Sequence, residues 1–144
     1  MEIEVGMMVE RPVAETFQAF DSAKAQITWM GSLVEVEMDP STPWGKGARF
    51  TQTHVEAGMR QVFQGEMLDY VRNQRLLLKL VHNDLSLVTE VLLVDLGERT
   101  QVQQRSKIEL HSTALKIVKG MVRGAIEQRF TEDLQRLKTL LEND

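Results

Sequence analysis

The chain has 144 residues, 42% of them hydrophobic and 26% charged, with a formal net charge of -4. This is one domain's length with ordinary globular usage, which argues against disorder and against a general nucleic-acid footprint. With no cysteine there are no disulfides, no thiolate metal site and no cysteine nucleophile, a composition that suits a reducing cytoplasm.

The opening MEIEVGMMVE has three acidic residues and no basic one, unlike a secretory signal. Ile3, Val5, Met7 and Val9 alternate with Glu2, Glu4 and Glu10, which predicts a half-buried strand. Pro12 cannot donate to a sheet ladder but suits the first turn of a helix, and Glu15 suits that helix's positive end. Val13, Phe17 and Phe20 then fall at helical spacing. A second short helix is expected over residues 22–29, ended by Gly31. Residues 33–38 alternate again, with Val34, Val36 and Met38 predicted on one face. Residues 39–47, DPSTPWGKG, are dense in turn formers and read as a loop.

Strands are expected next over 48–55 and 59–70, joined at EAG, and then over 74–82, 86–95 and 100–110. Their short connections suggest an antiparallel meander. The last segment, 113–142, reads as one long helix capped by Ser112 or Thr113. Leu115, Val118, Val122, Ile126, Phe130, Leu134, Leu137 and Leu141 recur at steps of three and four. Ala114, Ile117, Met121 and Ala125 widen this stripe in the first half only. Gly120 and Gly124 each cost about 1 kcal/mol there relative to alanine, so they suggest a bend or a close helix–sheet contact. No repeat, linker or apolar run long enough to span a membrane interrupts this single domain, residues 1–144.

The order is strand, two short helices, six strands and a long helix. With VERPVAETFQAF, ITWMGSLVEVEM, WGKGARF, QGEMLDYVRNQRLLLKL, LLVDLGERTQVQ and RFTEDLQRLKTLLE in that order, the chain resembles the START-like superfamily. This superfamily is also called SRPBCC or polyketide cyclase/dehydrase-like, and it includes the birch-pollen allergen. The resemblance covers nearly the whole chain. It implies an α+β helix-grip fold: a curved antiparallel sheet of six to seven strands wrapped around the long C-terminal helix, with a cavity between them.

Hairpin geometry suggests which residues would line it. Pairing Val55 near Gly58 sets Phe50 opposite Phe63, Gln52 opposite Gln61 and His54 opposite Met59, with Gly65 and Met67 on the same face. Pairing Asp95 near Thr100 sets Leu93 opposite Val102, Val91 opposite Gln104 and Thr89 opposite Ser106. Leu78 belongs to the strand between. A one-residue slip would invert the assignment. The inner face is mostly apolar but holds Gln52, His54, Gln61, Thr89, Gln104 and Ser106. A solid core rarely carries so many polar groups, because each unpaired one costs about 1–3 kcal/mol, so they either line a cavity or lie near the sheet rim and meet solvent, and the cavity is favoured. The candidate ligand-binding set is therefore Phe50, Gln52, His54, Gln61, Phe63, Met67, Leu78, Thr89, Val91, Gln104 and Ser106 from the sheet. Val118, Met121, Val122 and Ala125 join it from the helix.

His54, His82 and His111 lack metal-ligand spacing, and there is no GxSxG elbow or P-loop, so no metal or cofactor is expected. Asp69 and Glu90 would form a carboxylate pair only by accident of the fold. The first functional reading is binding of a small hydrophobic or amphipathic ligand: a lipid, a polyketide or an aromatic metabolite. The second is a polyketide cyclase or dehydratase with His54 as general base, beside Gln52 or Gln61. The third is a co-chaperone-like interaction module, which would need a large exposed apolar patch that the sequence does not display. Trp44 could gate the pocket, touch a partner or pack on the helix end. A homodimer is compatible with all three readings.

Overall fold

The computed structural model describes residues 1–143. Strand β1 (Glu2–Val9) buries Ile3 and Val9 and turns its glutamates outward, as its alternation requires. Pro12 stands at the N-cap position of helix α1 (Val13–Gln18), which buries Thr16 and Phe17. Ser22 caps helix α2 (Ala23–Ile27), its hydroxyl oxygen accepting from the Ala25 amide at 3.0 Å. Trp29 then anchors the α2 exit, its indole N–H donating to the Ala19 carbonyl at 2.8 Å.

Strands β2 (Leu33–Met38), β3 (Arg49–Glu56), β4 (Met59–Val71), β5 (Arg75–Val81), β6 (Leu85–Asp95) and β7 (Thr100–Leu110) complete a seven-stranded antiparallel sheet, ordered β1-β7-β6-β5-β4-β3-β2. The polar faces of β1 and β7 meet outside, where Arg105 lies 3.6 Å from Glu2 and 3.5 Å from Glu4. Asp69 and Glu90 are also on the outer side, both paired with Arg75 rather than with each other.

Three expectations change. In β2 the ladder is irregular between Leu33 and Glu35, so Leu33 turns inward and Val34 is 50% exposed. In the β3–β4 hairpin, Ala57 and Gly58 both take positive φ, 52° and 77°, and form the tight two-residue turn favoured by strand twist. The register is therefore Phe50 with Gly65, Gln52 with Phe63 and His54 with Gln61, two residues from the expected pairing. A slip of two keeps every side chain on its face, so the inner face survives the error. The β6–β7 register is as expected, with Val91 opposite Gln104 and Thr89 opposite Ser106.

The third change is at the C-terminal helix. It is two helices, α3 (Thr113–Ile117) and α4 (Lys119–Glu142), parted at Val118, whose φ of -103° and ψ of 29° leave the helical region. Adjoining β-branched Ile117 and Val118, followed by Gly120, make this the weakest helix-forming stretch of the segment. A Cβ at Gly120 or Gly124 would meet no atom within 4 Å, so neither glycine marks a close contact with the sheet.

The main core joins Val9, Phe17, Phe20, Trp29, Leu76, Leu93 and Val102 to Leu134 and Leu137 of α4. Leu134 and Leu137 are fully buried, each contributing about 1.5–3 kcal/mol of hydrophobic stabilisation. A smaller cluster of Ile3, Ile108 and Leu110 supports Val122, Ile126 and Phe130.

Candidate functional site

Between the concave sheet face and the first half of α4 lies a cavity of about 510 Å³. That is within the ordinary range for small-molecule sites. Phe63, Leu76, Leu78, Leu80, Leu87 and Val91 line the sheet side, while Ala125, Ile126 and Phe130 of α4 roof it. A second hollow of about 480 Å³ lies on the outer sheet face, among Glu37, Arg49, Glu66 and Lys79.

Of the expected residues, Gln52, His54, Gln61, Phe63, Leu78, Thr89, Val91, Gln104 and Ala125 line the cavity. Six others stand away from it. Phe50 lies over Gly65, where a Cβ would come within 2.2 Å of its ring, and it faces Trp44 with ring centroids 6.3 Å apart. Met67 is wholly buried in the main core. Ser106 is buried behind the wall, its hydroxyl 2.7 Å from that of Thr89, so each satisfies the other. Val118 and Met121 point to solvent, Met121 being 76% exposed, because the chain leaves the sheet at the α3–α4 break. Val122 packs on the Ile3 cluster instead. Trp44 is not among the residues lining the cavity. It packs on the main core and its indole N–H donates to Asp21 at 3.2 Å.

The polar groups gather at one pole of the cavity. Alternation puts Gln52, His54 and Glu56 of β3 on the inner face, and Ser32 reaches them from the residue before β2. His54 Nε2 lies 3.0 Å from the side-chain oxygen of Gln52, and Nδ1 lies 2.8 Å from the Ser32 hydroxyl. An amide oxygen only accepts, so Nε2 carries the proton and Nδ1 accepts from Ser32. Burial lowers the His54 pKa to about 4; Glu56 pulls it up and Arg129 pushes it down. The imidazole is neutral at pH 7 and both its nitrogens are engaged. Phe63 stands between it and His82, with ring centroids 5.5 and 5.3 Å away. His111 is remote, its Nε2 2.9 Å from the Ser86 hydroxyl.

The other side of this pole comes from α4, and sequence reasoning missed it. Asp133 is buried, accepting from the Gly31 amide at 2.9 Å and from Arg136 Nη1 at 3.0 Å. Burial pushes its pKa above the usual carboxylate range, against the pull of Gly31 and the two arginines. Arg129 pairs with Glu56 across the mouth, while its Nε is buried with no hydrogen-bond partner. Gly31 leaves room for this arrangement, since a Cβ there would meet Arg136 Nη1 at 2.1 Å and Arg129 Nη1 at 2.9 Å. The signal was present in the sequence: Arg129 and Asp133 follow Ile126 and Phe130 by three residues each, on the edge of the apolar stripe.

A curved seven-stranded sheet gripping a C-terminal helix, with a hollow between, defines the helix-grip class of the START-like superfamily. The family model described as "Polyketide cyclase / dehydrase and lipid transport" matches residues 1–142, and the chain belongs to that family. Among curated proteins none matches it in sequence. Among solved structures it is similar to the Zhui aromatase/cyclase from Streptomyces sp. R1128, with 13% identity and a TM-score of 0.83 over 99% of this chain and 93% of that one. TTHA0849 from Thermus thermophilus gives 13% identity and 0.83 over 98% and 97%. Ara h 8.0201 gives 12% identity and 0.79 over 100% and 99%. At these identities the likeness establishes the shared fold. No helix among the described residues is long and apolar enough to cross a membrane.

Proposed function

We propose that the protein binds one small hydrophobic or amphipathic ligand, such as a lipid, a polyketide or an aromatic metabolite, between the sheet and α4. The observation that carries this reading is the composition of the cavity wall. Leucines, Phe63 and Val91 supply apolar surface, while Gln61 and Gln104 make no side-chain hydrogen bond to any described residue. Gln104 is only 9% exposed, yet its unpartnered amide is not among the fully enclosed atoms and keeps open surface, whereas a solid core would close over it at a cost of about 1–3 kcal/mol. A ligand or water inside the hollow supplies the missing partner.

A cyclase- or dehydratase-type reaction is the second reading, favoured by the Ser32–His54–Gln52 chain and by the activity in the name of the Streptomyces neighbour. A general base works best with a pKa near the working pH. His54, at about 4, falls well below that and has its Nδ1 lone pair occupied, so binding ranks above turnover.

Native mass spectrometry of the purified protein, followed by denaturing extraction, tests the proposal together with titration by the neutral fluorophore N-phenyl-1-naphthylamine. A stoichiometric co-purified compound, or saturable fluorophore binding at one per chain, is the expected result. An empty protein with no saturable binding would overturn it.

A further inference from the structure

The polar groups on the two sides of the cavity differ in what they already hold. On the β3–α4 side, Ser32 and Gln52 engage both nitrogens of His54, Glu56 pairs with Arg129, and the Arg129 Nε is enclosed by protein. Gln61 is half-buried near the β3–β4 turn, where solvent reaches it. On the β6–β7 side, Thr89 and Ser106 bond each other. That leaves Gln104 as the polar side chain of this wall with no hydrogen bond to any described residue. It stands mid-strand opposite Val5 of β1 and Val91 of β6, and its amide keeps surface open on the cavity. Strands β4, β5 and β6 separate it from the pole on β3, about 19 Å along the sheet at about 4.8 Å per strand.

We propose that Gln104 selects a ligand bearing a neutral hydroxyl, an alcohol or a phenol, and seats that hydroxyl on the β7 side of the cavity. A carboxamide offers a carbonyl acceptor and N–H donors together, and a hydroxyl is the small group that both donates and accepts. It can give its proton to Oε1 while its oxygen stays available to Nε2. An ether accepts from Nε2 but leaves Oε1 unpaired. A hydrocarbon covers the amide and leaves both halves unmade, which is the costly outcome for a buried polar group. A carboxylate only accepts, and β5, β6 and β7 contribute no charged side chain to the cavity wall that would replace its lost hydration. The hydroxyl end is thereby fixed at Gln104, with the apolar body against Leu76, Leu78 and Leu87. The inference rests on the cavity-binding reading above and names the ligand chemistry that the reading left open.

The test is displacement of N-phenyl-1-naphthylamine at pH 7 by 4-pentylphenol, 4-pentylanisole, pentylbenzene and 4-pentylbenzoate, from the wild type and Gln104→Met. A phenol is neutral at this pH, as a tyrosine side chain is. Methionine keeps the length of the side chain and removes the amide. The expected result is that 4-pentylphenol binds about tenfold more weakly to Gln104→Met than to the wild type, while pentylbenzene stays within about twofold or binds more tightly. A merely structural role for Gln104 would move both ligands in the same direction. Should Gln104→Met fail to fold, the wild type alone decides by its ranking of phenol against anisole. The anisole is the more apolar of the two, so partition by itself would place it first. Tighter binding of the phenol supports the assignment, and equal or tighter binding of the anisole overturns it. It is likewise overturned if 4-pentylbenzoate binds best, or if the substitution weakens phenol and pentylbenzene alike. In those cases the fluorophore still binds and the cavity reading stands; if the fluorophore itself does not bind, both fall.

Discussion

Helix α4 crosses two unlike neighbourhoods. Its second half lies on packed protein: Leu134 and Leu137 are fully buried with Phe17, Leu93 and Val102, and Lys138 donates to the Met8 carbonyl of β1 at 2.7 Å. Its first half roofs a hollow, with Ala125, Ile126 and Phe130 among the lining residues and Met121 in solvent. One apolar repeat runs through both halves. Periodicity therefore reports which way a helix faces, and leaves unstated whether the facing wall is in contact or several ångströms away.

Substitutions at the two ends should therefore behave differently. Leu137→Ala, at the solid end, should show the largest effect, a loss of about 2–5 kcal/mol in urea unfolding, because the packed surroundings cannot collapse onto the void. A loss below about 1 kcal/mol would mean that the solid end is looser than its burial implies.

The next effect sharpens the hollow end through pH. His54 binds its proton far less readily folded, at about 4, than unfolded, at about 6.5. Between those values the unfolded chain carries the extra proton, so stability rises with pH across that window. The penalty is complete below pH 4 and absent above 6.5, and amounts to about 3 kcal/mol. Urea midpoints at pH 4.5 and 7 should differ less in His54→Gln than in the wild type. An equal difference in both would sink the assignment.

Smaller effects separate the ends further. Phe63→Trp fills space within the hollow, so it should lower fluorophore affinity while costing under about 1.5 kcal/mol of stability. A cost of several kcal/mol with unchanged binding would instead describe a filled core. Gly120→Ala should stabilise by up to about 1 kcal/mol, since the added methyl meets nothing within 4 Å. Met121→Ala, at a residue 76% exposed, should stay within about 0.5 kcal/mol of wild type by the same unfolding assay.

Much of the architecture was readable from local chemistry. Pro12 ending one strand's pattern, Ser22 before a short helix, and alternation from β3 to β7 each express physics confined to a few neighbouring residues. The inner face could be assigned because alternation has period two, so even a two-residue register error left Gln52, His54 and Gln61 on the cavity side. The β2 bulge was not readable, and the break at Val118 was legible only as a bend expected near Gly120 and Gly124. Both occur where nothing packs tightly enough to hold the regular form: Val34 is 50% and Ile117 79% exposed.

The polar pole shows the division most clearly. Alternation, helical spacing and turn chemistry are written in the order of the residues. They are enough to specify a curved antiparallel sheet and an amphipathic C-terminal segment, with polar side chains among the inward positions. The meeting of Arg129 and Asp133 of α4 with Glu56, His54 and Ser32 at one end of a hollow belongs to the folded molecule alone. Arg129 and Glu56 stand 73 residues apart in the chain. Their approach depends on how far the sheet curves and how high α4 rides above it, a distance set by packing at the solid end and encoded in no local pattern.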